Sequence, residues 1–136
     1  MKKVLFVCTH NAGRSQMAEA FFSKMAKGRA KGISAGTRPS GKVNPVVVEA
    51  MREVGIDINR KKPKMLTLEM MESVDRVITM GCGTDGVCPA TFIPTEDWQL
   101  DDPEGKPIEQ VRQIRDEVKT RVEKLIKELS FGANFT

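Results

Sequence analysis

Apolar residues recur along this chain in two rhythms. Val4-Leu5-Phe6-Val7 is an unbroken apolar run of strand length, and it predicts a buried strand over Lys3 to Val7. From Ser15 to about Lys27 the rhythm becomes helical, with Met17, Ala18, Phe21, Phe22, Met25 and Ala26 on one side and Gly28 near the stop. A second short strand fits Ile33 to Thr37, which makes a strand-helix-strand unit, a unit that is almost always parallel and right-handed. Asn44-Pro45 then supplies a cap and first position for another helix, carrying Val46, Val47, Ala50, Met51 and Val54 up to Gly55. Leu66 to Ser73 reads as a short helix, Val74 to Met80 as a third strand, and Ala90 to Pro94 as a fourth. From Pro107 to about Leu129 the apolar positions Ile108, Val111, Ile114, Val118, Val122, Leu125, Ile126 and Leu129 keep a period near 3.6, so this last helix covers one face of the sheet.

Strands alternating with helices predict an α/β fold with a parallel sheet. At 136 residues the chain suits one domain, 1–136, and is short for two. The balance of 22 basic and 18 acidic residues gives a mild +4. Its one local excess, Asn59-Arg60-Lys61-Lys62-Pro63-Lys64, contains no interleaved aromatic residue that could stack on bases, so it reads as a solvated loop and no nucleic acid is expected. The apolar run after Lys2-Lys3 is too short for a signal segment, and no stretch approaches a membrane span. A cytoplasmic protein without a membrane partner is therefore expected, and in that reducing compartment three cysteines are more apt to be reactive than structural.

The chemistry concentrates where the first strand gives way to the first helix. There the chain reads Cys8-Thr9-His10-Asn11-Ala12-Gly13-Arg14-Ser15. A loop at such a junction wraps its backbone N–H groups around an anion while the helix turns its positive end inward. The same field favours the thiolate of Cys8. Arg14 offers a planar fork for two edges of a tetrahedral oxyanion, which a lysine cannot match. Gly13 is expected to supply backbone freedom, and the Ser15 hydroxyl can hydrogen-bond the sulfur. The plainer alternative is that Cys8 is a small buried hydrophobe.

In a parallel sheet all strands end at one edge, so Cys82, just past the third strand, can meet Cys8 there. Cys82 and Cys88 flank Gly83 and Gly86, in a segment suited to changing shape. Inert core packing is one alternative. Structural zinc is another, but three cysteines and the single His10 make a poor ligand set. The remaining reading is a thiol relay. A disulfide between Cys8 and Cys82 blocks the anion pocket, and attack by Cys88 on Cys82 moves it outward and frees Cys8. Removing an oxygen from the anion also calls for a proton donor. Asp101-Asp102-Pro103 supplies two carboxylates, although such a pair also serves in turns.

Taken jointly, the anion loop continuing through Gln16-Met17-Ala18-Glu19, Ser34-Ala35-Gly36-Thr37, Asn44-Pro45, the Cys82/Cys88 segment and Trp98 with Asp101-Asp102-Pro103 resemble the thioredoxin-coupled arsenate reductases. Those enzymes share the fold and anion loop of the low-molecular-weight protein tyrosine phosphatases, and the resemblance covers nearly the whole chain. It implies a four-stranded parallel sheet flanked by helices on both faces. It also implies that Cys8 attacks arsenate, that residues Thr9 to Ser15 bind the oxygens, that Asp102 is the general acid, that Asn11 braces the loop and that Ser15 supports the thiolate. Cys82 and then Cys88 would resolve the intermediate, and thioredoxin would reduce the final disulfide, with phosphate or sulfate as competing ligands and a monomer as the working unit. No cofactor or metal would be bound. Some members hold potassium beside the loop, but of the groups involved only Asn11, Glu19 and Ser34 are matched, and the remaining acidic position falls on Lys64, which argues against that ion.

Two other function classes stay open. Cys8, Arg14 and Asp102 are also a phosphatase set, although Glu104 follows Asp102-Pro103 where such phosphatases typically place an aromatic residue. A redox sensor without catalysis is the third class, and the chain offers it no evident output surface.

Overall fold

Continuous apolar strands make sense only in a sheet covered on both faces, and β1 (Lys2–Cys8) is the clearest case: Val4, Leu5, Phe6 and Val7 are each 0% exposed. The computed structural model describes residues 2–80 and 95–129. After β1 come α1 (Arg14–Ala26), β2 (Ala30–Gly36), α2 (Pro45–Arg52), α3 (Leu68–Glu72), β3 (Arg76–Thr79), β4 (Thr95–Asp97) and α4 (Ile108–Glu128). The strands form one sheet in the order β2-β1-β3-β4, with every neighbouring pair parallel. Lys2 stands opposite Ala30 and Cys8 opposite Gly36, while Val4 stands opposite Arg76 and Val7 opposite Thr79. The chain leaves β1 toward one side and returns on the other, so the rim beyond Cys8 is the topological switch point where ligands settle in such sheets.

Successive β1 side chains alternate between two cores, as the pleat requires. Val4, Phe6 and Cys8 join Ile78, the α1 residues Met17, Phe21 and Phe22, the α2 residues Val47 and Met51, and the α4 residues Val111, Val118 and Val122. Phe6 meets Phe22 edge-on with centroids 5.6 Å apart. Leu5 and Val7 face the other way, with Ala35, Val74 and Val77, against partly buried Met70 and Met71 of α3. Helices therefore lie on both faces of the four-stranded sheet, and the larger core is the one that carries Cys8.

Local chemistry sets the ends. Lys27 (φ 51°) and Gly28 (φ 82°) turn the chain out of α1, and the Asn44 side chain accepts from Val46 N–H ahead of Pro45 at the start of α2. Arg112 and Arg115 of α4 clamp Glu53, just past α2, with Arg112 Nη2 2.7 Å from Oε2 and Arg115 Nη1 3.0 Å from Oε1. The Arg112 hydrogen bond, opposed by desolvation and assisted by Arg115, holds the Glu53 carboxyl down to about 2 from an ordinary 4.5.

Several element boundaries differ from the sequence expectation: α2 ends at Arg52 rather than near Gly55, and β3 runs Arg76–Thr79 rather than Val74 to Met80. β2 begins at Ala30 rather than Ile33, because parallel pairing with β1 recruits Lys31 and Gly32 despite their weak strand character. The short helix narrows to Leu68–Glu72, where the Thr67 hydroxyl caps Met70 N–H. The fourth strand expected over 90–94 lies outside the described residues, and β4 itself spans Thr95–Asp97. Cys82 and Cys88 also lie outside them. Among the described residues no helix is long and apolar enough to cross a membrane.

Candidate active site

β1 delivers Cys8 to the rim, and residues 9–13 carry the chain round to α1. The carbonyls of this loop are satisfied from outside it. Thr37 N–H donates to Cys8 O, Arg38 to Thr9 O, Ser40 to His10 O, Asn44 to Ala12 O and Met17 to Gly13 O, all within 3.2 Å. Gln16 Nε2 donates to Asn11 O at 3.1 Å. With its oxygens turned outward, the loop presents its N–H side to the space it encloses, as an anion-binding nest does.

Asn11 is the position with left-handed backbone (φ 51°), a region asparagine tolerates better than most residues. Gly13 takes φ −145° and ψ −86° at the start of α1, and its lack of a side chain is required for a second reason. A Cβ there would stand 2.6 Å from Pro103 Cγ. Gly36 is needed too, since its Cβ would approach Thr9 O to 2.7 Å and Asn11 N to 2.9 Å. The loop is thus packed from both sides by backbone and a rigid ring.

Cys8 is buried and forms no disulfide. Its Sγ receives the Asn11 N–H at 3.2 Å and lies 2.9 Å from Ser15 Oγ. Ser15 Oγ in turn accepts from Asn11 Nδ2 at 2.7 Å, which fixes the hydroxyl beside the sulfur. Two polar groups, Asn11 N–H and Ser15 Oγ, thus converge on the sulfur. Arg14 is 5% exposed and donates from Nη1 to Leu100 O at 3.0 Å. Its buried Nε has no acceptor among the described residues, which is costly for a charged donor unless a ligand supplies one.

These groups open into a cavity of about 420 Å³ whose walls include Cys8, His10, Arg14, Asn44, Asp102 and Glu104. The structure also separates the two adjacent aspartates. Asp102 faces the cavity, with Oδ2 3.8 Å from Arg14 Nη2 and Oδ1 accepting from Glu104 N–H at 3.0 Å. Asp101 lines a different depression with Lys106 and Gln110. His10 Nδ1 lies 3.5 Å from Glu104 Oε1 across the rim. The ligand atoms of His10, Asp102 and Glu104 fall within 4.8 Å of one another, but the Arg14 cation already stands beside Asp102. Of the expected binding residues, His10, Ala12, Gly13 and Arg14 line the cavity, while Thr9, Asn11 and Ser15 are buried in the loop's support.

Several residues that the resemblance singled out turn out to support the loop through contacts the sequence did not reveal. Gln16, only 2% exposed, sends its Nε2 to Asn11 O, Asn11 Oδ1 and Lys62 O. Lys64 N–H donates to Asn11 Oδ1 at 2.8 Å, and Lys64 O accepts from Gly36 N–H at 2.8 Å. Buried Glu19 accepts from Ser34 Oγ at 2.6 Å and from Lys61 Nζ at 3.0 Å. The basic run 59–64, expected as solvated, places one lysine on a buried carboxylate. Only the distance between 11, 19 and 61 in the chain hid this.

The model of the low molecular weight phosphotyrosine protein phosphatase family matches residues 3–133. A Halobacterium salinarum putative arsenate reductase is 41% identical over 130 residues, covering 92% of this chain and 91% of the relative. A Synechocystis protein called a glutaredoxin arsenate reductase is 40% identical over 134 residues, covering 96% of this chain and all of the relative. In structure, a Corynebacterium glutamicum thioredoxin-dependent arsenate reductase superposes with a TM-score of 0.81 at 39% identity, over 94% of this chain and 61% of that one.

Proposed function

The chain belongs to the low-molecular-weight phosphotyrosine protein phosphatase family, and on that premise we propose that it is an arsenate reductase that passes electrons through Cys8, Cys82 and Cys88. One observation carries the reading: a sulfur hydrogen-bonded to Asn11 N–H and Ser15 Oγ shares a cavity with a buried arginine whose Nε has no acceptor among the described residues. That arrangement suits a nucleophile facing a tetrahedral oxyanion, and relatives about 40% identical over nearly their full length are called arsenate reductases.

Arsenate enters the loop, with Arg14 Nε and the loop N–H groups on its oxygens and phosphate or sulfate as competitors. The Cys8 thiolate attacks arsenic and an oxygen leaves as water, its proton supplied by Asp102. The Cys82 thiolate then attacks the Cys8 sulfur. An S–S bond forms, the S–As bond breaks, and its electron pair stays on arsenic, which departs as arsenite. Cys88 displaces Cys8 from Cys82, so two thiols have lost two electrons and two protons to the oxyanion. The Cys82–Cys88 disulfide is reduced from outside. Thioredoxin suits a disulfide between two protein cysteines, as in the Corynebacterium relative's description, whereas the Synechocystis relative is named for glutaredoxin. The cycle works in a monomer and in the reducing cytoplasm.

Fully reduced protein mixed with arsenate, without external reductant, should fall from three free thiols to one. It should release about one arsenite per chain, and mass spectrometry should find a Cys82–Cys88 link. Three thiols with no arsenite would sink the reductase reading. Adding thioredoxin or glutaredoxin separately then identifies the reductant. Hydrolysis of phosphate esters is the second reading, favoured by Cys8, Arg14 and Asp102 lining one cavity. Cys82→Ser separates the two, because it ends arsenite release and spares ester hydrolysis.

A further inference from the structure

Behind the anion loop a short strap, residues 61–64, crosses from α1 to β2. Lys61 Nζ meets Glu19 Oε2 of α1 at 3.0 Å. Lys62 O accepts from Gln16 Nε2 of the same helix at 3.3 Å. Lys64 N–H donates to Asn11 Oδ1, and Lys64 O accepts from Gly36 N–H, both at 2.8 Å. The strap therefore touches the loop at one residue, Asn11.

That residue is the strained one. Its positive φ persists only where the surroundings over-determine it, and its N–H and Nδ2 are the groups that address Cys8 and Ser15. Glu19 lies at the other end of the strap, with its side chain 10% exposed while the Lys61 side chain is 48% exposed. A carboxylate so enclosed requires a cation. The residues that the resemblance associates with potassium do not fit that ion in this chain. Glu19 is already met by an ammonium, Ser34 Oγ donates to Glu19, and the Asn11 side chain is committed to Ser15, Gln16 and Lys64.

We infer that Lys61 is a positioning residue for the oxyanion site: a tethered cation that pins the strap to Glu19, so that Lys64 holds Asn11 in the conformation that trains its N–H and Ser15 on Cys8. The inference deepens the active-site reading above, and it can be read out without arsenate reduction. Lys61 touches neither the cavity nor Cys8, so it acts through the strap.

The test measures phosphate affinity by calorimetry, and the rate of Cys8 alkylation by iodoacetamide, on the intact reduced chain. Lys61→Met should weaken phosphate binding and slow Cys8 alkylation by roughly 2- to 30-fold, the range for a residue coupled through a packed network. Lys61→Arg should restore both. Glu53→Gln, which loosens the α2–α4 clamp far from the loop, serves as a stability control and should leave both at the wild-type level. Wild-type affinity and melting temperature should be the same in potassium chloride and in choline chloride of equal ionic strength. Normal phosphate affinity and alkylation in Lys61→Met would overturn the inference, as would equal losses in Glu53→Gln or a potassium-specific gain in the wild type. Failure to reduce arsenate in a wild type that still binds phosphate would instead count against the reductase reading.

Discussion

The two halves of the active site are built on opposite terms. Around the anion loop, Asn11 and Ser15 are 0% exposed and Gln16 is 2% exposed, with each carbonyl of residues 8–13 engaged from outside. Across the cavity, Pro103 is buried but its neighbours reach solvent, and the side chains of Asp102 and Glu104 are 44% and 71% exposed. The acid loop is held by Glu104 N–H on Asp102, Lys106 N–H on Pro103 O and Pro103 against Gly13, with Asp102 and Glu104 reaching across to Arg14 and His10. The contrast matches the work each does. Binding an oxyanion gains from donors fixed in advance, because no reorganisation is then needed when charge arrives. Donating a proton and recovering it from water requires access to water.

Breaking the acid side should have the largest kinetic effect. Asp102→Asn is expected to lower kcat for arsenite release by roughly 10²- to 10⁴-fold, with phosphate affinity nearly unchanged by calorimetry. Asp101→Asn, on the other depression, should stay near wild type in the same assay. Equal losses in both would erase the distinction between them.

The cradle side is best probed at Gln16. Gln16→Glu keeps the shape but sets a carboxylate oxygen against Asn11 O, Asn11 Oδ1 and Lys62 O, the acceptors that Nε2 now serves. About 3 kcal/mol of stability should be lost at neutral pH in a urea titration, at the upper end for an unsatisfied buried group, and phosphate binding should weaken with it.

The two sides touch at Gly13. Gly13→Ala pushes Pro103 away, so kcat should fall by about tenfold through misplacement of Asp102. Thiol counting and phosphate affinity should show the cradle intact. A loss confined to phosphate affinity would show instead that the loop, rather than the acid loop, had yielded.

The smallest effect lies away from both regions. The Glu53 carboxyl sits near 2 in the folded chain against an ordinary 4.5, so the clamp's contribution is fully present above 4.5 and is lost as pH falls toward 2. Wild type should melt higher than Glu53→Gln at neutral pH, and differential scanning calorimetry should show the gap closing over that window. A gap that holds steady down to pH 2 would contradict it.

Much of this was legible in the chain. The apolar run at Val4 to Val7, the helical spacing from Met17 to Ala26 and the long period-3.6 face from Val111 to Leu125 determined the elements, because periodicity reports which faces must leave water. Cys8 and Arg14 at a strand-to-helix junction pointed to an oxyanion site, because the local backbone itself builds a nest. Tertiary structure alone decided which aspartate faces the sulfur, why residue 13 has no side chain, and that Lys61 of an exposed basic run sits on buried Glu19. Each of these depends on groups 42 to 94 positions apart in sequence, and periodicity carries no information about such pairings. They were fixed only when parallel strand order brought the loop, the strap and the acid loop to one rim.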